Sequence, residues 1–373
     1  MARLSELTAS ARRLALVGLA KNTGKTVTLA ALLRELEAQG RRVGVTSVGR
    51  DGEERDAIDA RIEKPRVRLP AGSLVATTDG LLRASGLAHE LLEETGVRTP
   101  LGRVLIARLN DAGAIEVAGP SAASDVRAAS EAMLEHGAEQ VLIDGAVDRR
   151  AASSPQVSDG LVMATGAVLD RDLERVVAVT RDAVDLARVR TLEDDATADG
   201  HLRDLAARTA GGGELGGEQG ASADADARRS TPPSLLVADE GEPVTLPPRF
   251  VLTAEGEQVA ALLGDCAGAR WLLLAGAVPE RFLASLLPPL ARRRGRLTVV
   301  VADPTKLFLA SRGPAWYERQ GVELRVLRRT PLLALTVNPV APRSHRFGSA
   351  ELRAGVEATI ADVPVFDVLE SAG

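Results

Sequence analysis

The chain has 373 residues, of which 45% are hydrophobic and only 2% aromatic, and its formal net charge is −5. A single core stops growing at about 250–300 residues, so two domains are expected. The acidic balance gives no general field for nucleic acid or an anionic membrane, and the scarcity of aromatics removes base-stacking platforms.

Leu4, Leu7 and Ala11 stand at helical spacing and predict a short helix before the first strand. Leu14 to Thr26, LALVGLAKNTGKT, then gives an apolar run ending at Gly18, a polar loop, and Gly24-Lys25-Thr26 opening a helix over Val27–Gln39. That order is what a phosphate-binding loop requires. Backbone N–H groups at the helix start (Lys21, Asn22, Thr23, Gly24, Lys25, Thr26, Val27) would face an anion, Lys25 would reach the terminal phosphates, and the Thr26 hydroxyl would ligate magnesium. Five residues separate Gly18 from Gly24, one more than in the commonest form of the motif.

Gly40 ends that helix and Arg42–Val48 reads as a second strand, running into the polar loop Gly49-Arg50-Asp51-Gly52-Glu53-Glu54. In an open α/β sheet, ligands bind beyond the carboxyl ends of the strands, so Asp51 is a candidate for a water or magnesium contact and Arg50 for a phosphate or partner. Helical spacing predicts a helix over Leu81–Thr95. Arg103–Leu109 and Ala114–Ala118, joined by Asn110-Asp111-Ala112-Gly113, predict a hairpin. A helix follows over Ser124–His136.

Gln140–Ile143 is the next strand and delivers Asp144 at its tip, the form of a carboxylate that holds magnesium directly or through water. Glu116, before the small-residue turn Val117-Ala118-Gly119-Pro120, is a second candidate for the metal. Arg149 and Arg150 could supply charge stabilisation. Leu161–Ala164 and Val176–Val179 are expected to complete a run of parallel strands.

Residues 209–233 are rich in Gly, Ala, Ser and charge without periodicity, and read as a linker or insertion. Beyond it, Arg270–Ala275, Leu297–Ala302 and Val322–Leu327 are strand-like, with helical stretches at Pro279–Ala291 and near Trp316. The fold expected is α/β: a doubly wound, mostly parallel sheet over residues 1–192, a flexible segment over 193–233, and a smaller α/β domain over 234–373.

His89, His136, His201 and His345 show no zinc-binding spacing, and no Gly-x-Ser-x-Gly elbow occurs. Arg292, Arg293, Arg294 and Arg296 read as a solvated helix end. The lone Cys266 excludes an intrachain disulfide and fits a cytoplasmic setting. No window approaches the ~18 continuous apolar residues of a membrane span. The absence of an Asn-Lys-x-Asp guanine motif favours ATP over GTP.

The spacing Gly-x5-Gly-Lys-Thr resembles the dethiobiotin synthetase branch of P-loop proteins, related to the MinD and ParA ATPases, and Lys21 looks like the extra lysine of the latter. GLAKNTGKT (18–26), TSVGRDGE (46–53), TPLGRVLIAR (99–108), VAGPS (117–121), LIDGAVDRRAASSP (142–155), DPTK (303–306) and TVNPVAP (336–342) together resemble the small P-loop subunit of lysine 5,6-aminomutase reactivase. That resemblance implies a magnesium-dependent ATPase that helps expel damaged cobalamin from a B12-dependent aminomutase, working with a MutS-like ATPase subunit. Association between copies of the chain is left open. The alternative is an ATP-dependent ligase like dethiobiotin synthetase, acting on a small carboxylate or carbamate.

Overall fold

Strands covered on both faces need apolar side chains at almost every position, because neither face meets water. In the computed structural model, which describes residues 3–48, 66–145, 150–210, 232–238, 241–266, 268–342 and 344–367, the strands Val43–Ser47, Leu74–Thr78 and Gly160–Gly166 are buried throughout. They belong to a nine-stranded sheet whose order is Val365–Asp367, Leu332–Asn338, Gly160–Gly166, Arg13–Gly18, Gln140–Asp144, Val43–Ser47, Leu74–Thr78, Gly102–Leu109 and His89–Thr99. From Val365–Asp367 to Leu74–Thr78 each neighbouring pair is parallel. Gly102–Leu109 is antiparallel to both of its neighbours.

The helix Lys25–Ala38 buries Leu29, Leu32, Leu33 and Leu36, the i, i+3, i+4, i+7 stripe of one helical face. These pack in one core with Leu14, Leu16, Val45, Leu142 and Val162 from the central strands. Shortening any of these leucines to alanine removes contacts worth about 2–5 kcal/mol, so the helix start is held firmly over the tips of the central strands.

The chain divides into two compact units, residues 1–181 with 330–373, and residues 182–329. The second unit has a five-stranded sheet in the order Val244–Thr245, Leu235–Ala238, Ala269–Leu273, Leu297–Val301 and Val322–Val326. Its last three strands are parallel and its first two antiparallel. The protein is thus α/β, with a large, mostly parallel mixed sheet and a smaller mixed sheet.

Several expectations give way. The smaller unit does not extend over 234–373: Leu332–Asn338 pairs with Gly160–Gly166 and Val365–Asp367 pairs beyond it, so the last stretch returns to the first sheet. Nor is 193–233 a linker throughout, since Gly200–Ala210 is a helix with Leu202 and Ala206 in the core of the second unit; residues 211–231 lie outside the described residues. Instead of a helix over Leu81–Thr95 there is a short helix, Asp79–Ala84, and then the strand His89–Thr99.

That strand forms the hairpin with Gly102–Leu109, whereas Gly113–Ile115 pairs with Val67–Leu69. The Asn-Asp-x-Gly turn therefore separates two sheets. Val176–Val179 lies within the helix Leu173–Ala187, because Val176, Thr180 and Val184 recur at helical spacing on its buried side. Here burial outweighs the strand preference of β-branched residues. Among the described residues no helix is long and apolar enough to cross a membrane.

Candidate functional site

Gly18 closes the first strand at a place with no room for a side chain: a Cβ there would stand 2.5 Å from Thr23 Oγ1. Thr23 is buried and donates to the Ala20 carbonyl at 3.0 Å, so the loop folds back over Gly18. Asn22 and Gly24 take left-handed backbone, with φ of 66° and 92°. Gly24 starts the helix, whose first internal bond runs from the Thr28 N–H to the Gly24 carbonyl at 2.9 Å. The N–H groups of Lys25, Thr26 and Val27 thus lack intrahelical acceptors at the electropositive end of a 14-residue helix.

Parallel pairing sets Leu16 opposite Asp144 and Ser47 opposite Asp144 on the other side, which brings the strand tips level with this loop. Lys25 Nζ lies 2.7 Å from Asp144 Oδ1 and donates to the Gly145 carbonyl at 2.6 Å. Asp144 Oδ1 is itself buried yet takes part in no aligned hydrogen bond. The distance and the missing alignment are reconciled if charge alone holds the pair, with the ammonium off the oxygen's lone-pair direction. At 20% and 28% side-chain exposure, solvent screening leaves such a pair about 1 kcal/mol or less.

Gly145 is pinned. Its N–H donates to the Leu16 carbonyl at 2.9 Å, and a Cβ would come within 2.7 Å of Ala152 Cβ. Its carbonyl is therefore a fixed acceptor for Lys25.

The far strands steady the loop. Leu19 N–H donates to the Ala164 carbonyl at 2.9 Å, Thr28 Oγ1 meets Thr336 Oγ1 at 2.9 Å, and Asn338 Nδ2 donates to the Asn22 carbonyl at 3.0 Å. Asn338 Oδ1 accepts from the Val340 N–H at 3.1 Å, which fixes the amide that holds Asn22. Lys21 is exposed on the same outer turn. Nothing in the sequence around Asn338 signals that the strand Leu332–Asn338 returns to the first sheet.

Glu116 is half-buried and is not placed on Asp144. Its carbonyl accepts from Thr77 Oγ1 at 3.3 Å, and the next turn is tied down by Ala118 N–H to Thr77 Oγ1 at 3.0 Å and Gly119 N–H to Ser47 Oγ at 3.0 Å. Gly119 is demanded there, since a Cβ would meet the Ser47 carbonyl at 2.2 Å. Glu116 follows the strand Gly113–Ile115, which pairs with Val67–Leu69 and not with the sheet that carries Asp144. Arg50, Asp51 and Arg149 lie outside the described residues, and Arg150 opens the short turn Arg150–Ser153.

The residues present fit a magnesium ion on one observation: a buried carboxylate oxygen at the strand tip without an aligned donor, beside a helix whose second residue is Thr26. Among the described residues no group of three or more His, Cys, Asp or Glu is placed to hold a metal. Magnesium does not demand one, because it keeps several waters and takes one or two protein ligands plus phosphate oxygens.

Composition carries a further signal. Of the 46 basic residues only four are lysines, Lys21, Lys25, Lys64 and Lys306. Two of these stand in this loop, in a chain that otherwise uses arginine for positive charge. A compact, mobile ammonium differs from a planar guanidinium, so this choice marks the loop for a point-charge contact. In comparisons with known proteins, the chain matches no family model, no curated protein and no solved structure.

Proposed function

We propose that this protein is a magnesium-dependent, ATP-binding P-loop ATPase whose nucleotide state acts on a partner protein. The observation that supports this reading is the meeting of Lys25, from a Gly-Lys-Thr helix start, with Asp144 at the tip of the neighbouring parallel strand. Lys25 and the N–H groups of Gly24 to Val27 would hold the β- and γ-phosphates. Thr26 and Asp144 would hold magnesium, with Glu116 the second carboxylate candidate and Asp51 the candidate to orient the attacking water. When bound, the metal would supply neutralisation of the phosphate charge.

Asn338 and Thr336 would keep the loop in the shape that aims its donors. The doubly wound arrangement expected of such a domain is part of the same proposal. The partner rests on the resemblance to the small subunit of lysine 5,6-aminomutase reactivase: a B12-dependent aminomutase, served together with a MutS-like ATPase.

The test is equilibrium ATP binding and phosphate release for the wild type and Lys25→Ala, followed by ATP-dependent recovery of an inactivated aminomutase. Lys25→Ala is expected to lose at least about a hundredfold in hydrolysis, the usual cost of deleting a group that stabilises transition-state charge. A Lys25→Ala protein that hydrolysed ATP at the wild-type rate would refute the assignment. Turnover that requires a small carboxylate rather than a protein would replace the helper with a ligase.

A further inference from the structure

In the free protein the two groups most needed by a magnesium nucleotide are spent on each other. Lys25 Nζ sits between Asp144 Oδ1 at 2.7 Å and the Gly145 carbonyl at 2.6 Å. The phosphates need that ammonium and the metal needs that carboxylate, so neither ligand can take its group without separating the pair. Nucleotide arriving without magnesium would draw Lys25 away and leave the Asp144 carboxylate bare beside the phosphates. Magnesium arriving alone would draw Asp144 away and leave Lys25 held by a carbonyl only.

From this we infer that the Lys25–Asp144 pair is a latch, released by magnesium, that makes nucleotide capture conditional on the metal. The inference rests on the nucleotide-binding reading given above, and it adds that Asp144 positions Lys25 before any ligand is present. Two details favour a latch over a permanent tie. The carboxylate oxygen is out of line for a hydrogen bond, so its separation gives up charge attraction but no directed bond. The second acceptor, Gly145, is fixed by its N–H bond to Leu16 and has no room for a side chain beside Ala152, so it stays in place to take Lys25 back. By reciprocity, whatever magnesium adds to nucleotide affinity, nucleotide adds to magnesium affinity.

The four lysines make this measurable residue by residue. Amine acetylation followed by peptide mass analysis reads Lys25 against Lys21 on the exposed part of the same loop. In the nucleotide-free full-length protein, Lys25 should react several-fold more slowly than Lys21. Asp144→Asn should speed Lys25 acetylation about fivefold, the population shift matching the loss of a half-exposed ion pair. Asp144→Glu should restore part of the protection. Magnesium alone, in the wild type, should also speed Lys25 acetylation while leaving Lys21 unchanged.

A parallel titration with a fluorescent ATP analogue, in EDTA and in magnesium, should show tighter binding to Asp144→Asn than to wild type in EDTA, and a smaller gain from magnesium. Equal Lys25 acetylation in wild type and Asp144→Asn, with no response to magnesium, overturns the latch even if ATP binds normally. Absence of ATP binding under every condition, with Lys25 still released by Asp144→Asn, overturns the nucleotide reading and leaves the ion pair as a tie without that purpose.

Discussion

Two ion pairs of this molecule, one in each unit, are built on opposite principles. In the second unit, Arg325 is 3% exposed and its Nε donates to Asp195 Oδ2 at 2.8 Å, while Nη2 donates to Glu323 at 2.8 Å. The other Asp195 oxygen accepts from the Thr197 N–H at 3.0 Å and the Thr197 hydroxyl at 2.7 Å. Every charge there has a directed partner. In the first unit, Lys25 and Asp144 are several times more exposed and share no aligned hydrogen bond. A pair buried and saturated is expensive to break, whereas a pair held by proximity at a strand tip can be exchanged. The contrast separates a saturated, buried pair from one that the proposed nucleotide site would have to open.

The largest effect expected follows from breaking the saturated pair. Arg325→Met leaves Asp195 without its guanidinium in a buried setting, while Glu323 keeps Arg296 Nε at 2.9 Å, and should destabilise the second unit by about 3–5 kcal/mol. Thermal unfolding should then begin about 10 °C lower, on the usual scaling for a unit of this size. Replacing both partners, Asp195→Leu with Arg325→Met, removes the uncompensated charge and should recover most of the loss. Urea unfolding of the two single variants and the double variant closes the cycle. A double variant as unstable as the worse single one would show that packing, not charge, is what Arg325 supplies.

Next in size is an acid sensitivity of the same unit. Burial pushes the Asp195 carboxyl up, but the Thr197 hydroxyl and N–H and the Arg325 guanidinium outweigh it and hold it below the usual aspartate range. Glu280 follows the same pattern: burial raises it, while the Ala310, Ser311 and Arg312 N–H groups and the Tyr317 hydroxyl bring it below the ordinary glutamate value. A group with a depressed folded-state pKa contributes stability that is present above its unfolded value, about 4 for these side chains, and lost as pH falls through the folded value. The urea midpoint of the second unit should therefore hold level from neutral pH to about 5 and fall steeply below about 4. Asp195→Asn should flatten that fall. A midpoint independent of pH down to 3 would remove these carboxylates from the account of stability.

The features legible in the sequence were those with a local cause. Gly18, Gly24, Lys25 and Asp144 could be read because a tight loop, a helix start and a strand tip each leave a mark within a few residues. The central strands were legible for the same reason, as apolar runs bounded by turns. What escaped depends on partners far along the chain. Leu332–Asn338 looks like a neighbour of Val322–Val326 in sequence, yet it pairs with Gly160–Gly166, and only that return puts Asn338 against Asn22. Leu81–Thr95 reads as a helix from its spacing, whereas the pairing of His89–Thr99 with Gly102–Leu109 decides the conformation of its second half. The contact between Lys25 and Asp144 spans 119 positions; spacing points to both residues, but nothing local says that they touch.

The smallest effect on stability is expected at the proposed nucleotide site. Lys25→Ala removes an ammonium from a partly exposed pair with no aligned hydrogen bond, so the free protein should lose no more than about 1 kcal/mol. The same change removes the cation proposed to hold the phosphates, so ATP should no longer raise the unfolding temperature of the variant, as it should for wild type by mass action. Measuring both proteins with and without magnesium ATP puts the two ion pairs on one scale. Were Lys25→Ala to cost as much stability as Arg325→Met, the strand-tip pair would be a second structural tie, and the distinction between a fixed pair and an exchangeable one would fail at the residue on which it depends.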